Sequence, residues 1–362
     1  MKKVIVLTGG GTAGHVSVNL GLIPRLKEAD WDIHYIGSEG GIEKDLISDF
    51  PYVTYHAIPT GKLRRYPSFS NIRANLKDVG RVIKGASQAK KILREIGCQI
   101  VFSKGGFVSA PVAYGAGRLG IPVISHESDI TPGLANKMVL PFTDTILTTF
   151  RETLTYLPKN KGLYLGPIIR DQIKGGSREA GLEFFGFTGH KPLLLVLGGS
   201  SGAQKINEAI WENLDLLLEK YDILHGTGKG KIRKDIDKVG YKQLEYIKDR
   251  MKDALAMADV IVSRSGSNAI FEFLYYAKPM LLIPYAKGSR GDQILNAESL
   301  VKEGYAQSIG EDELGGDRPV KAVNDLYLNR EKYIEREKQF EFKDGLSEIL
   351  KLLEEKRLET GL

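Results

Sequence analysis

The sequence predicts an α/β protein of two doubly wound, Rossmann-like domains. Three observations carry that expectation. The 362 residues exceed what one ordinary core holds. Short apolar runs alternate with helical patterns along both halves. Three of those runs lead straight into glycine-rich turns. Hydrophobic residues make up 42% of the chain and charged residues 27%, a globular balance that excludes extensive disorder.

The elements follow in order. In the first half the expected strands are Val4–Leu7, Ile33–Ile36, Val53–Ala57, Ile100–Phe102, Val123–Ser125 and Thr145–Leu147. A long helix is expected from about Asn71 to Ile96, where Ile72, Leu76, Val79, Ile83, Ala86, Leu93 and Ile96 form an apolar stripe at helical spacing. The second half repeats the grammar, with strands at Leu193–Leu197, Ile223–Leu224, Val260–Val262 and Met280–Ile283 and helices near 204–219, 267–276 and 293–303. Gly166-Pro167-Ile168-Ile169-Arg170 reads as a hinge, which sets the expected domains at 1–165 and 166–341, sharing a cleft. The charged tail from Glu331 reads as helical, and its last part, 342–362, is expected to join the first domain.

The single cysteine, Cys98, excludes an internal disulfide and suits a reducing cytoplasm. Met1-Lys2-Lys3 leads an apolar run too short for a signal peptide, and no stretch approaches the ~20 residues that span a bilayer. The chain is therefore expected to stay inside the cell. Its net charge of +6 is modest, but the charge is concentrated. Lys62, Arg64, Arg65, Arg73, Lys77, Arg81, Lys84, Lys90, Lys91 and Arg94 stand against Asp78 and Glu95 alone. Such a field favours nucleic acid, acidic headgroups or a phosphorylated ligand. No recognisable reader module supports nucleic acid, so none is expected as a partner.

The first strand runs into Thr8-Gly9-Gly10-Gly11-Thr12-Ala13-Gly14-His15, a turn whose N–H groups suit an anion. Gly9, Gly11 and Gly14 satisfy G-x-G-x-x-G, but the second strand ends Tyr35-Ile36-Gly37-Ser38, and Glu39 comes late for a ribose contact. P-loop spacing also fits, yet His15 and Val16 replace the Lys and Ser/Thr. Neither nucleotide motif is complete. Two further turns, Gly198 to Ala203 and Ser263-Arg264-Ser265-Gly266-Ser267-Asn268, again follow strands, and Glu272 lies on the second turn of the helix that follows the latter. A single such turn reads equally well as structural. Three at carboxyl ends of strands read as ligand sites.

In order along the chain, Gly10 to His15, Ser103-Lys104-Gly105-Gly106-Phe107-Val108-Ser109, His126-Glu127-Ser128-Asp129, Thr131-Pro132-Gly133-Leu134-Ala135-Asn136, Gly198 to Ala203, Ser263 to Glu272 and Asp292-Gln293-Ile294-Leu295-Asn296-Ala297 resemble the MurG family. Members of that family transfer N-acetylglucosamine from UDP-GlcNAc to lipid I, giving lipid II. The resemblance implies the GT-B fold, an inverting hexosyltransferase, and a part in cell-wall synthesis, cell shape and division. It assigns the first domain to the undecaprenyl-diphosphate-linked muramyl-peptide acceptor and the second to the UDP-sugar. On matching positions, Ser200, the Ser265-Gly266-Ser267 turn and Arg170 would serve the donor diphosphate. Ile247 would offer backbone to uracil, Glu272 would hold the ribose and Gln293 would read sugar hydroxyls. Gly9, Gly10, Gly14, Gly105, Gly106 and Phe107 would face the acceptor diphosphate. Gly11, Thr12 and Ala13 would border the transferred sugar, with Asp129 beside its acetamide or hydroxyls. This chain has Ser128-Asp129 where many members carry Gln-Asn. Its hinge reads Gly-Pro-Ile-Ile-Arg rather than the commoner Gly-Asn/Ser-Pro-Val-Arg, and a longer segment precedes Met251.

Inverting transfer needs a base for the acceptor hydroxyl and stabilisation of departing UDP. Helix N-termini and Arg170 can supply the second without metal. The D-x-D pairs Asp30/Asp32 and Asp235/Asp237 read as surface, so no metal or other cofactor is expected. His15 is the expected base, a neutral imidazole being available near neutral pH. The alternative is that His15 caps the helix or binds acceptor phosphate. His126 and Glu127 are expected to line the acceptor side, or to be structural. The basic 62–94 segment, with Leu63, Tyr66 and Phe69 at its start, fits a peripheral patch on the anionic cytoplasmic face of the membrane. Its bland reading is a solvated helix face. Competing functions are a GT-B transferase with another lipid or small-molecule acceptor, a nucleotide-sugar epimerase, and an NAD(H)-binding regulator built on the first domain.

Overall fold

The computed structural model describes residues 2–61, 69–199, 202–286 and 291–359, with the side chains of Ala13 and 69–79 outside that description. Expectations for Ser200, Lys62, Leu63, Arg64, Arg65 and Tyr66, and for the side chains of Ala13, Phe69, Ile72, Arg73, Leu76, Lys77, Asp78 and Val79, therefore lie outside the described residues. The chain divides into two compact units. Unit 1 comprises Met1–Ile168 and Lys343–Leu362, and unit 2 comprises Ile169–Phe342.

Unit 1 is built on β1 (Lys3–Thr8), β2 (Trp31–Ser38), β3 (Thr54–Ile58), β4 (Ile100–Ser103), β5 (Val123–Glu127), β6 (Thr145–Thr148) and β7 (Gly162–Tyr164). They form one parallel sheet in the order β3-β2-β1-β4-β5-β6-β7. Successive residues Ile5, Val6 and Leu7 are all fully buried, as expected of a strand covered on both faces. One face packs Leu22, Ile23 and Leu26 of the helix Ser17–Glu28 with Leu346, Ile349 and Leu353 of the helix Gly345–Glu359. The other packs Ala89 and Leu93 of the helix Phe69–Glu95 with Val112 and Ala113 of the helix Ser109–Gly117. The C-terminal helix is fastened by Lys3–Glu354 at 2.7 Å and by Arg25–Asp344, just before it, at 2.6 Å. Gly21 leaves room for Leu346: a Cβ there would stand 3.1 Å from its side chain.

Unit 2 repeats the plan with β8 (Leu193–Leu197), β9 (Asp222–Gly226), β10 (Tyr241–Leu244), β11 (Val260–Ser263), β12 (Met280–Leu282) and β13 (Ala306–Ser308). This sheet is also parallel, in the order β10-β9-β8-β11-β12-β13. In both sheets the order reverses at the first strand. The crevices beside β1 and β8, at their carboxyl ends, are thus topological switch points, where such sheets bind ligands.

Three sequence expectations are corrected. The edge strands β7, β10 and β13 were not anticipated. Each is short, and β7 and β10 contain no fully buried residue, so their apolar signal is weak. The helix expected over 204–219 is two, Gln204–Glu212 and Leu214–Leu218. Asn213 interrupts it, its side-chain amide donating to the carbonyls of Ala209 and Gly316, both at 2.9 Å. Ile83 is 66% exposed instead of lying in the buried stripe with Ala86 and Leu93.

Candidate functional site

In unit 1, the turns after β1 and β4 meet backbone to backbone. Gly106 has φ 84°, and a Cβ on it would lie 2.2 Å from the Gly10 carbonyl oxygen. The Phe107 ring covers Gly11, where a Cβ would stand 2.5 Å from it. Only glycine permits this approach. Behind Gly10 lies a residue the sequence reading missed. Glu43, from the helix Ile42–Ile47, is fully buried and accepts the N–H groups of Gly11 (3.2 Å) and Ser38 (3.0 Å) as well as the Ser38 hydroxyl. Burial acts to raise its pKa, but these hydrogen bonds outweigh burial and hold it below the ordinary value. The acidic residue sought after the second strand thus serves the turn itself. Asn19 and Tyr35, also missed, support it further: the Tyr35 hydroxyl donates to Gly9 O at 2.6 Å and Asn19 to Thr8 O at 3.2 Å.

His15 ends a short 3-10 turn, Ala13–His15, that includes Gly14. Its Nδ1 lies 3.2 Å from Gly10 O and 3.2 Å from Thr12 Oγ1. A proton on Nδ1 satisfies the carbonyl and leaves the lone pair on Nε2, a form in which the neutral imidazole is able to accept a proton there.

At the end of β5, Glu127 is buried and ties down the following turn. It accepts from the N–H groups of Asp129 (3.1 Å) and Gly133 (2.7 Å) and from the Asn136 amide (2.8 Å). Burial, with Asp129 nearby, raises its pKa. His126 is only 1% exposed, so it is enclosed within unit 1 instead of lining an open surface there. Burial and the neighbouring Lys104 hold it neutral, well below the usual imidazole value. Lys104 itself is buried and donates to the Ser128 hydroxyl. Burial lowers its pKa against the pull of Glu127 and Asp129. Asp129 is partly exposed, and its carbonyl accepts from the Thr153 hydroxyl at 3.2 Å.

In unit 2, a cavity of about 680 Å³ opens at the carboxyl ends of the strands, lined by Gly199, Gly202, Lys205, Arg264, Gly266 and Gln293 among others. Gly202 has φ 67°, and a Cβ there would lie 2.2 Å from Thr227 O, which fixes the turn after β8 against the end of β9. The turn after β11 ends at Gly266, where the helix Ser267–Tyr275 begins. Ser265 does not turn its hydroxyl to the cavity: it is fully buried and donates to Gln293 O at 2.7 Å. Gln293 Oε1 accepts from the Tyr285 N–H at 3.0 Å. Arg264, absent from the sequence-derived set, donates to Ile283 O at 3.0 Å, pairs with Glu311 and lies 5.1 Å from the Tyr285 ring centre.

Arg170 and Glu272 come together. The guanidinium makes two hydrogen bonds, of 3.0 and 2.6 Å, both to Glu272 Oε1. Burial of Glu272 raises its carboxyl pKa, opposed by Arg170. Ile247 is buried, so its side chain faces inward to the core. Of the D-x-D residues, Asp32 lies in β2 near its amino end and pairs with Lys2 at 2.9 Å, and Asp235 pairs with Arg233. Among the described residues no cluster of three or more His, Cys, Asp or Glu could hold a metal ion. None of the described helices is long and apolar enough to cross a membrane.

Residues 5–148 match the glycosyltransferase family 28 N-terminal domain, and residues 193–351 match its C-terminal domain. A protein of Oceanobacillus iheyensis is 54% identical over 313 residues, covering 86% of this chain and 87% of its own length. One from Geobacillus thermodenitrificans is 48% identical over 356 residues, 98% and 99% of the two chains. Both are named UDP-N-acetylglucosamine–N-acetylmuramyl-(pentapeptide) pyrophosphoryl-undecaprenol N-acetylglucosamine transferase. The chain belongs to the MurG family. The crystal structure of Acinetobacter baumannii MurG superposes with a TM-score of 0.74 at 22% identity, over 98% of this chain and 100% of that one. The calicheamicin glycosyltransferase CalG4 superposes at 0.71 with 13% identity, over 98% of each chain. At those identities the likeness speaks to the fold, which is GT-B as the MurG resemblance implied.

Proposed function

We propose that this MurG-family chain transfers N-acetylglucosamine from UDP-GlcNAc to lipid I with inversion, forming lipid II in peptidoglycan synthesis. The observation that carries the reading is identity of about half, over nearly the whole chain, to relatives named for that reaction. The experiment is incubation with radiolabelled UDP-GlcNAc and lipid I, without added metal. Label in the lipid fraction is the expected result. Label confined to UDP-sugar, free sugar or an epimer would overturn the proposal.

The roles within it are those that the family resemblance implies, and parts of the geometry support them. Unit 2 holds the donor: Ile247 backbone at uracil, Glu272 at the ribose, and Gln293 at the sugar. Both Arg170 hydrogen bonds fall on one Glu272 oxygen, a geometry that leaves the guanidinium's remaining N–H groups to serve the diphosphate. Ser200, Gly266 and Ser267 complete the diphosphate site, with Ser265 holding the turn's shape. Unit 1 holds the acceptor diphosphate at the turns 9–15 and 105–107, with His15 taking the proton of the attacking hydroxyl. Glu127 orders the turn that carries Asp129. UDP soaked into crystals should lie against Ser265–Ser267, and density elsewhere would sink this donor assignment.

The protein acts at the cytoplasmic face of the membrane, held peripherally by the basic 62–94 segment. Arg81, Lys84, Lys91 and Arg94 are exposed on the helix Phe69–Glu95, with Ile83 among them. Each cation near an anionic surface contributes about 1 kcal/mol. Sedimentation with phosphatidylglycerol vesicles, lost in high salt and absent with phosphatidylcholine, is expected. Equal sedimentation with both lipids would refute the charge-based reading.

A further inference from the structure

We infer that Lys104 is a charge-compensating positioning residue of the acceptor site, the group that lets an anionic acceptor bind beside two carboxylates. This rests on the acceptor reading of unit 1.

Lys104 begins the turn after β4. Its backbone N–H donates to Thr8 O at 2.9 Å, so the residue bridges the ends of the two strands that flank the switch point. A Cβ on Gly9 would stand 3.2 Å from the Lys104 Cβ, which places the lysine against the first turn as well. The side chain runs toward the end of β5, where the ammonium donates to the Ser128 hydroxyl, and the residue is only 3% exposed.

A buried ammonium is costly without countercharge. The Ser128 hydroxyl it meets lies between Glu127 and Asp129 in the chain, and among the described residues those two carboxylates and His126, from the end of β5 and the turn beyond, are the titratable groups that act on it. His126 stays neutral. The remaining set is one ammonium and two carboxylates. Without Lys104, both carboxylates would lose that countercharge, and their repulsion of a diphosphate at the neighbouring turns would grow. With it, the two carboxylates can stay and order their turn, and the acceptor still meets a tolerable field. The ammonium is too enclosed to grip the acceptor itself, so its effect is exerted through charge and through the Ser128 hydrogen bond.

The test measures transfer from radiolabelled UDP-GlcNAc to lipid I by the wild type, Lys104→Met, Lys104→Arg, Asp129→Asn and the Lys104→Met/Asp129→Asn double variant. Lys104→Met should raise the acceptor KM by about tenfold, with donor KM and kcat nearly unchanged. Adding Asp129→Asn should recover much of that loss, and Lys104→Arg should stay close to wild type. The Lys104→Met defect should shrink as pH falls from about 8 to 6, because losing the ammonium raises the Glu127 pKa further and protonation removes its charge. A pure packing role would give no such pH dependence and no rescue by Asp129→Asn. Asp129→Asn alone should lower the acceptor KM, a readout kept apart from any change in donor KM that follows from its place beside the transferred sugar and one that does not need Lys104→Met to fold. An unchanged acceptor KM in Lys104→Met, a double variant no better than the single, or an unchanged KM in Asp129→Asn overturns the inference. A wild-type protein that transfers no label sinks the functional proposal instead.

Discussion

Both units set glycine-rich turns beside the first strand of a parallel sheet, yet they support those turns by different means. Unit 1 closes the space behind them: Gly10 meets Gly106, Phe107 covers Gly11, and the buried carboxylates Glu43 and Glu127 tie the turns to the scaffold. Unit 2 leaves a cavity of about 680 Å³ in front of its turns, and its ionic groups, Arg170–Glu272 and Arg264–Glu311, are paired within the unit. The shared topology decides where N–H-lined turns fall. The residues behind them decide whether a turn is a fixed ledge or the rim of a pocket.

The largest expected effect separates chemistry from binding. His15→Ala should lower turnover by about 10²–10⁴-fold while the donor KM, which the proposal assigns to unit 2, barely moves. A matching loss of UDP-GlcNAc affinity would show that His15 binds donor instead. Next, Gly106→Ala attacks the closed packing of unit 1. Its Cβ would meet Gly10 O at 2.2 Å from a left-handed backbone, a conflict of roughly 1–3 kcal/mol, and acceptor KM should rise with UDP binding intact. A variant with wild-type acceptor KM would mean that the contact between the turns does not matter. In unit 2, Glu272→Ala should raise the donor KM about 10- to 100-fold, since it removes the carboxylate proposed to hold the ribose and strands Arg170. An unchanged donor KM counts against the contact.

The two buried carboxylates of unit 1 sharpen the comparison from within. Glu43 has a folded pKa below its unfolded one, so its stabilisation is present above about pH 4.3 and is lost as pH falls through the folded value. Glu127 has a raised folded pKa, so its contribution is present below the unfolded value and is lost as pH rises through the folded one. Glu43→Gln should therefore cost more thermal stability at pH 7 than Glu127→Gln, by about 2–4 °C, with the gap narrowing toward pH 4. Melting curves of both variants across that range give the answer, and a gap that widens on acidification would reverse the assignment. The smallest expected effect is none: EDTA should leave transfer unchanged, and any loss restored by a divalent cation would demand a metal role.

The central strands were legible because burial on both faces turns them into continuous apolar runs, as in Leu193–Leu197. The edge strands β7, β10 and β13 were not, since a chain hydrogen-bonded on one side and partly wet needs no such run, whereas the edge strand β3 was expected at Val53–Ala57. The glycine-rich turns were visible because a backbone contact such as Gly106 against Gly10 admits no side chain. Glu43 escaped notice because Gly41-Ile42-Glu43-Lys44-Asp45 looks like a solvated charged stretch. Its signal was present, for an acidic residue was sought after the second strand, but for a ribose and not for the Gly11 N–H. Lys104 was hidden by the opposite effect. A lysine in a turn reads as surface, and only the fold shows its ammonium folded inward onto Ser128.

The helix Gly345–Glu359 fills the groove that Gly21 leaves in unit 1, although the whole of unit 2 is encoded between them. On the ribosome, then, unit 2 emerges complete and free to fold, while the earlier-made unit 1 must wait with Leu22, Ile23 and Leu26 uncovered. Its closing helix leaves the exit tunnel only after all of unit 2. A nascent chain stalled before Lys343 should bind UDP yet remain sticky and protease-sensitive in its first half, a vulnerability that chaperones would have to cover until that helix emerges.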